Sequence, residues 1–176
     1  MLSIDRDNLF LRELDINCSE MRGLMQPLLI DLLSEDVIEL DVGVADWEEA
    51  VQFGGRLLEK KGLIDHRYID AMINTVKELG AYIVIAPGIA MPHARPESGA
   101  KQIGVSIITL KNPVNFGNKD NDPVKIVISL CAIDHVTHLG VLSELALLLQ
   151  DRRFLSLLLS SRDKNQILEV IRNGLD

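Results

Sequence analysis

Hydrophobic residues recur along this chain with two different periods, and the change of period predicts where helices and strands lie. Between residues 47 and 58 the apolar positions have helical spacing, and Asp46 with Glu49 forms the capping-box pattern of a helix start. A second amphipathic helix is predicted from Asp65 onward, until Gly80 ends it. Each of these helices therefore has one apolar face available for a core.

Four short runs rich in Val, Ile and Leu predict buried strands, because strands covered on both faces have few polar positions. They are Val37 to Leu40, Tyr82 to Ala86, Ile103 to Leu110 and Val124 to Ile133. Further helices are predicted at Leu28 to Leu33, from Thr137, from Asp151 and from Asp163. The interleaving of strands with helices indicates an α/β fold.

The segment from Pro87 to Gly99 contains three prolines and two glycines between two apolar runs. Such a segment continues neither a helix nor a central strand, so we expect a surface loop along its whole length. A stiff loop would hold His93 still, and its imidazole is both a nucleophile and a proton carrier near neutral pH. Taken alone, the pattern is equally typical of a turn whose histidine faces solvent.

A second histidine, His138, follows another predicted strand. With Thr137 as the predicted N-cap, His138 falls in the first turn of a helix, where free N–H groups favour a phosphate and keep the imidazole neutral. His93 and His138 each follow the carboxyl end of a buried strand, which is where α/β sheets gather their sites. The nearby His135 is interpreted as a strand-end or turn residue.

Metal and serine chemistry have weaker support in the sequence. The loop from Lys111 to Pro123 contains Asp120 and Asp122, but the twelve-position calcium pattern is absent. Zinc would need a third ligand near the two histidines, and no G-x-S-x-G serine motif occurs. We therefore expect no metal.

Composition limits the partners and the compartment. The chain has 176 residues, which suits one domain, and 18 basic against 26 acidic residues give a net charge of −8. This charge argues against nucleic acid and anionic membranes and favours a protein partner with a basic face. No apolar run reaches the roughly 20 residues that span a bilayer, and no signal pattern is present, so a cytoplasmic protein is expected. Cys131 lies in an apolar run and is predicted to be inert.

The string from Gly88 to His93 resembles the phosphorylation-site signature of the mannitol-fructose type of enzyme IIA domains in the bacterial phosphotransferase system (PTS). Four segments are similar to the L-ascorbate-type IIA component: Asp46 to Ala50, Tyr82 to Val84, His93 to Glu97 and Asn121 to Val124. The resemblance implies a three-layer sandwich with a central mixed β-sheet flanked by helices. It covers residues 25–176, and residues 1–24 are expected to be an N-terminal extension.

The same resemblance implies roles for individual residues. His93 matches the phosphoryl-accepting histidine, and His138 matches the second active-site histidine. His93 would accept the phosphoryl group from phospho-HPr on Nε2 and pass it to a cysteine of the EIIB component, without any cofactor. Thr75 stands where the mannitol type has an arginine, so we expect Arg95 to supply the missing positive charge beside the phosphoryl group.

Two other functions stay open from the residues. A regulatory module could use phosphorylation of His93 to signal sugar flux, and a cofactor-free hydrolase could use His93 with His138. The sugar and the oligomeric state, a homodimer included, are not determined by the sequence.

Overall fold

The computed structural model describes residues 28–173, which form a central sheet between two layers of helices. The strands are β1 Ile38–Val42, β2 Val84–Ala86, β3 Ile89–Ala90, β4 Gly104–Val114 and β5 Val124–Cys131. The helices are α1 Leu28–Leu32, α2 Trp47–Lys60, α3 His66–Leu79, α4 His135–Leu148, α5 Arg152–Ser160 and α6 Lys164–Asn173. Short 3₁₀ turns occur at Glu35–Val37, Ala81–Ile83 and Pro96–Ser98. The predicted α/β sandwich with a mixed sheet is confirmed.

The sheet has the strand order β1-β4-β5-β3-β2. Strands β1 and β4 pair in parallel, β4 and β5 antiparallel, β5 and β3 in parallel, and β3 and β2 antiparallel. Because β3 and β5 run in the same direction, the chain leaves both strands at the same edge of the sheet. His93 and His138 follow these two strands, so the topology brings them to one edge.

Each face of the sheet has its own apolar core. Helices α1, α4, α5 and α6 bury side chains such as Leu29, Val141 and Phe154 against one face. Helices α2 and α3 bury Val51 and Met72 against the other. Such burial on both faces agrees with the buried positions of the two central strands, which are residues 104–110 of β4 and every residue of β5 except Lys125.

The start of α2 agrees with the predicted capping box. The Asp46 carboxylate accepts a hydrogen bond from the Glu49 N–H at 2.9 Å, and the Glu49 carboxylate accepts one from the Ala45 N–H at 2.6 Å. Helix α3 ends at Gly80, whose φ of 82° suits glycine. Both helices were therefore correctly predicted from spacing and end signals.

The prediction that Pro87 to Gly99 is a loop throughout was wrong, because β3 lies inside it. Gly88, with φ at 76°, allows a tight turn from β2 into β3, and its carbonyl accepts hydrogen bonds from the Lys125 and Ile126 N–H groups. Pro87 and Pro92 both fall outside the two paired residues, so neither removes a ladder hydrogen bond. The preceding strand is also shorter than predicted, since Tyr82 belongs to a 3₁₀ turn.

The loop predicted from Lys111 to Pro123 is shorter, because β4 continues to Val114. Pro113 is tolerated there because the pairing with β5 is irregular between Thr109 and Val114. The Asp122 carboxylate accepts hydrogen bonds from the N–H groups of Phe116, Gly117 and Asn118. It thereby holds the remaining loop together.

Two predictions lie outside the described residues, namely the extension at residues 1–24 and the start of the family resemblance at residue 25. Between residues 28 and 173, no helix is both long and apolar enough to cross a membrane.

Candidate functional site

A cleft of about 630 Å³ opens at the edge where the chain leaves β3 and β5. One wall comes from the end of α3, the second from residues 93–96 and the third from the start of α4. His93, His138 and Arg95 all line it. The structure thus brings together the three predicted site residues, which are separated by up to 45 positions in the sequence.

Two backbone hydrogen bonds hold the chain before His93, one to the 3₁₀ turn that precedes β2 and one to β5. The Met91 N–H donates to the Ile83 carbonyl at 2.7 Å, and the Pro92 carbonyl accepts from the Leu130 N–H at 3.0 Å. The Met91 side chain is buried in the core. The rigidity expected from the prolines therefore has a second source, because the segment extends the sheet.

A hydrogen bond to the main chain two residues earlier fixes the orientation of the His93 ring. Its Nδ1 lies 2.9 Å from the Met91 carbonyl oxygen. A carbonyl only accepts, so Nδ1 carries the hydrogen in the neutral ring and donates it. The lone pair of the imidazole is then on Nε2, which becomes the nucleophilic atom.

His138 lies beside His93, with 5.7 Å between the ring centroids and 49° between the ring planes. Burial lowers the pKa of His138 below its usual 6.5, and the neighbouring His93 and His135 lower that pKa further. The ring is therefore neutral at pH 7. It forms no hydrogen bond with any residue between 28 and 173, so its N–H is available to a ligand.

Helix α4 begins earlier than predicted. The N-cap is Asp134, whose carboxylate accepts a hydrogen bond from the Thr137 N–H at 2.9 Å, and His138 is the fourth helical residue. This hydrogen bond lowers the pKa of Asp134, so a negative charge faces the cleft and offsets part of the helix dipole. His135, predicted as a turn residue, begins the helix and also lines the cleft.

Arg95 and Thr75 lie on different walls of the cleft. Arg95 is exposed, and within the described chain its side chain forms no hydrogen bond or ion pair. The Thr75 hydroxyl donates to the Ala71 carbonyl of its own helix at 2.7 Å. Among the described residues that line the cleft, Arg95 alone has a permanent positive charge.

Sequence reasoning missed the apolar rim of the cleft. The Tyr82 ring packs edge-on to His93 with 6.2 Å between centroids, and Leu79, which also lines the cleft, is 70% exposed. Ile133 and Val136, which adjoin the cleft-lining residues Asp134 and His135 in the sequence, are 54% and 80% exposed. The sequence signal that could have identified this surface is Val136, an apolar residue between two polar residues. Exposed apolar side chains grouped near a cleft are typical of a surface that contacts a partner or a ligand.

Comparisons with known proteins agree with this architecture. A family model described as "Phosphoenolpyruvate-dependent sugar phosphotransferase system, EIIA 2" matches residues 31–174. The ascorbate-specific PTS system EIIA component of Escherichia coli K12 is 40% identical over 145 residues, which are 81% of this chain and 94% of that protein.

Two solved structures extend the comparison. The mannitol-specific cryptic phosphotransferase enzyme IIA CmtB from Escherichia coli aligns with a TM-score of 0.74 at 36% identity, covering 83% of this chain and 99% of that one. Enzyme IIAMTL, solved in complex with phosphorylated enzyme IIBMTL from Escherichia coli, aligns with a TM-score of 0.71 at 26% identity, covering 81% and 98%. With a family match over most of its length, the chain belongs to the EIIA 2 family of the phosphoenolpyruvate-dependent sugar phosphotransferase system.

Proposed function

We propose that His93 accepts a phosphoryl group from phospho-HPr on Nε2 and passes it to a cysteine of an EIIB partner. The observation that carries this proposal is the hydrogen bond from His93 Nδ1 to the Met91 carbonyl, which leaves Nε2 as the free nucleophile in a cleft beside His138. Family membership supports the class of reaction.

In the first step the Nε2 lone pair attacks phosphorus in line, and the bond from phosphorus to the donor breaks as the new N–P bond forms. The imidazole gains positive charge as it becomes phosphorylated. The Nδ1–H stays bonded to the Met91 carbonyl, and this hydrogen bond strengthens as the ring becomes cationic. In the second step the acceptor thiolate attacks phosphorus and forms an S–P bond. The N–P bond breaks, and its electron pair returns to Nε2.

The phosphoryl oxygens need donors whose hydrogen bonds strengthen as negative charge develops on the oxygens. The His138 ring is neutral, lies 5.7 Å from the His93 ring and has no hydrogen-bond partner among the described residues. It therefore donates its N–H to one phosphoryl oxygen. Arg95 provides the permanent positive charge that Thr75 cannot supply. Asp134 opposes this charge, which makes the contribution of Arg95 more important.

The apolar rim, formed by Leu79, Tyr82, Ile133 and Val136, is the proposed docking surface for both HPr and EIIB. The net charge of −8 suits partners with a basic face. The 40% identity to the ascorbate-specific EIIA component supports L-ascorbate uptake as the pathway served, and with it a cytoplasmic location. The start of the family match at residue 31 supports residues 1–24 as an extension that transfer does not require.

Intact-mass detection of phosphoryl transfer from phospho-HPr tests the proposal. The wild-type protein should gain one phosphoryl group, and His93→Ala should gain none, because the nucleophile is lost. His66→Ala is the matched control, since His66 is exposed and pairs with Glu59 away from the cleft. A His93→Ala protein that still takes up one phosphoryl group would refute the assignment.

Adding EIIB to the labelled protein separates the three functions that the residues allow. A phosphocarrier transfers its label to EIIB, whereas a hydrolase releases inorganic phosphate in the absence of EIIB. A regulatory module keeps the label in both conditions. We expect transfer.

A further inference from the structure

The Tyr68 side chain lies behind the cleft, outside the set of residues assigned above. It belongs to the first turn of α3 and is 1% exposed. Its hydroxyl lies among three backbone groups: the Ala94 carbonyl at 2.9 Å, the Leu130 carbonyl at 3.0 Å and the Ala94 N–H at 3.1 Å. The hydroxyl therefore links the backbone of Ala94 to that of Leu130.

The hydrogen bonding can be assigned from the available donors. A phenol has one proton to donate and lone pairs with which to accept. The Ala94 N–H donates to the Tyr68 oxygen, and the single phenolic proton is shared between the carbonyls of Ala94 and Leu130. Burial raises the pKa of Tyr68, so the hydroxyl stays protonated at neutral pH.

These three groups belong to the two segments that carry the histidines. Ala94 directly follows His93, and Tyr68 is bonded to both its N–H and its carbonyl. Leu130 lies near the end of β5, four residues before the cap of α4, the helix that carries His138. The Leu130 N–H is already bonded to Pro92, so both polar groups of Leu130 face the His93 segment.

We propose that Tyr68 is a positioning residue, whose hydroxyl sets the placement of His93 relative to His138 by joining Ala94 to Leu130. The proposal rests on the phosphocarrier function for its kinetic consequence. Met91 and Pro92 fix the chain before His93, and Tyr68 fixes it immediately after. Without this second attachment, the His93 backbone is held on one side only, and the Nδ1 hydrogen bond to Met91 loosens.

The Tyr68→Phe variant removes the hydroxyl and keeps the buried ring. We expect kcat for transfer from phospho-HPr to fall about 10-fold, because small displacements of reacting groups are costly. KM should stay unchanged, because Tyr68 is buried and does not belong to the apolar rim.

Thr109→Val is the matched control for loss of a buried hydroxyl. The Thr109 hydroxyl accepts a hydrogen bond from the Asp41 N–H at 2.9 Å, and Thr109 pairs with Ile126, toward the opposite end of β5. Both substitutions are close to isosteric, and both leave one backbone N–H without its acceptor; Tyr68→Phe also removes the proton shared by the Ala94 and Leu130 carbonyls. Thermal unfolding should therefore report a loss of stability in both variants, while only Tyr68→Phe lowers kcat.

A spectroscopic readout separates positioning from stability. In the unphosphorylated wild-type protein, ¹⁵N NMR should show the neutral His93 ring with its proton on Nδ1. Tyr68→Phe should shift His93 toward a mixture of Nδ1–H and Nε2–H forms, and Thr109→Val should not. A wild-type kcat and an unchanged tautomer in Tyr68→Phe, or equal effects in both variants, would overturn the proposal. If phospho-HPr does not label the wild-type protein, the phosphocarrier function fails, yet the tautomer measurement still decides the role of Tyr68.

Discussion

The two histidines of the cleft differ in how the protein holds them. The His93 ring is hydrogen-bonded to the Met91 carbonyl, and the two residues before His93 are hydrogen-bonded to the 3₁₀ turn that precedes β2 and to β5. The His138 ring, on the first turns of α4, makes no hydrogen bond with another described residue, and burial with nearby imidazoles lowers its pKa. The two rings are nevertheless only 5.7 Å apart.

This difference suits two different tasks. A phosphoryl acceptor must present one defined atom, and a fixed tautomer with a fixed backbone does so. A group that stabilises the phosphoryl oxygens needs an unused hydrogen-bond donor that already faces them, and the neutral His138 ring has an N–H that no described residue accepts. Hydrogen bonds within the protein therefore fix the proposed nucleophile, whereas the N–H of its neighbour is left for the phosphoryl group.

Removing the His138 ring tests this division of tasks with the largest expected effect. His138→Ala should still be labelled on His93 but should transfer to EIIB about 100-fold more slowly, since one transition-state donor is lost. His138→Gln should recover part of the rate, because its carboxamide N–H can donate. Rapid-quench measurement of onward transfer gives both rates, and normal transfer by His138→Ala would remove the role assigned to His138.

Neutralising Arg95 sharpens the comparison, because it changes the charge of the cleft without touching either ring. Arg95→Gln should slow transfer about 10-fold, since in the proposed mechanism the guanidinium would form charge-assisted hydrogen bonds with the phosphoryl group. The double variant Arg95→Gln with Thr75→Arg should recover part of this loss by placing a cation on the opposite wall. Single-turnover transfer from phospho-HPr measures each rate, and full activity of Arg95→Gln would show that the charge is balanced elsewhere.

The smallest expected effect concerns the titration of His138. Its pKa in the folded protein lies below the usual 6.5 of the unfolded chain, so the unfolded state binds more protons between these two values. The contribution of His138 to the free energy of unfolding is therefore fully present above the pKa of the unfolded chain. It is lost as the pH drops through the pKa of the folded protein. NMR titration should show the low pKa of His138, and His93→Ala should raise this pKa, because it removes the repulsion that arises when both imidazoles are protonated. A His138 that titrates at or above 6.5 in the wild-type protein would contradict the burial described here.

Sequence patterns predicted the parts of this molecule that depend on local spacing. The caps and apolar faces of α2 and α3 were correct, and His93, His138 and Arg95 do meet in one cleft. Their meeting follows from the parallel pairing of β3 with β5.

The features that were missed depend on distant contacts. Strand β3 has two residues, and it is a strand only because β5 and β2 pair with it. Asp134 caps α4 in place of Thr137 because β5 ends at Cys131, two residues earlier than its apolar run suggests. The Tyr68 hydroxyl bonds to residues 26 and 62 positions away, which no local pattern indicates.

The most direct test of this account is the position of the phosphoryl group on the ring. Long-range ¹H–¹⁵N correlation spectra of the phosphorylated protein distinguish phosphorus on Nε2 from phosphorus on Nδ1. The hydrogen bond from Nδ1 to the Met91 carbonyl predicts a single phosphohistidine, His93, with phosphorus on Nε2 and hydrogen on Nδ1. Phosphorus on Nδ1 of His93, or on His138, would contradict the account.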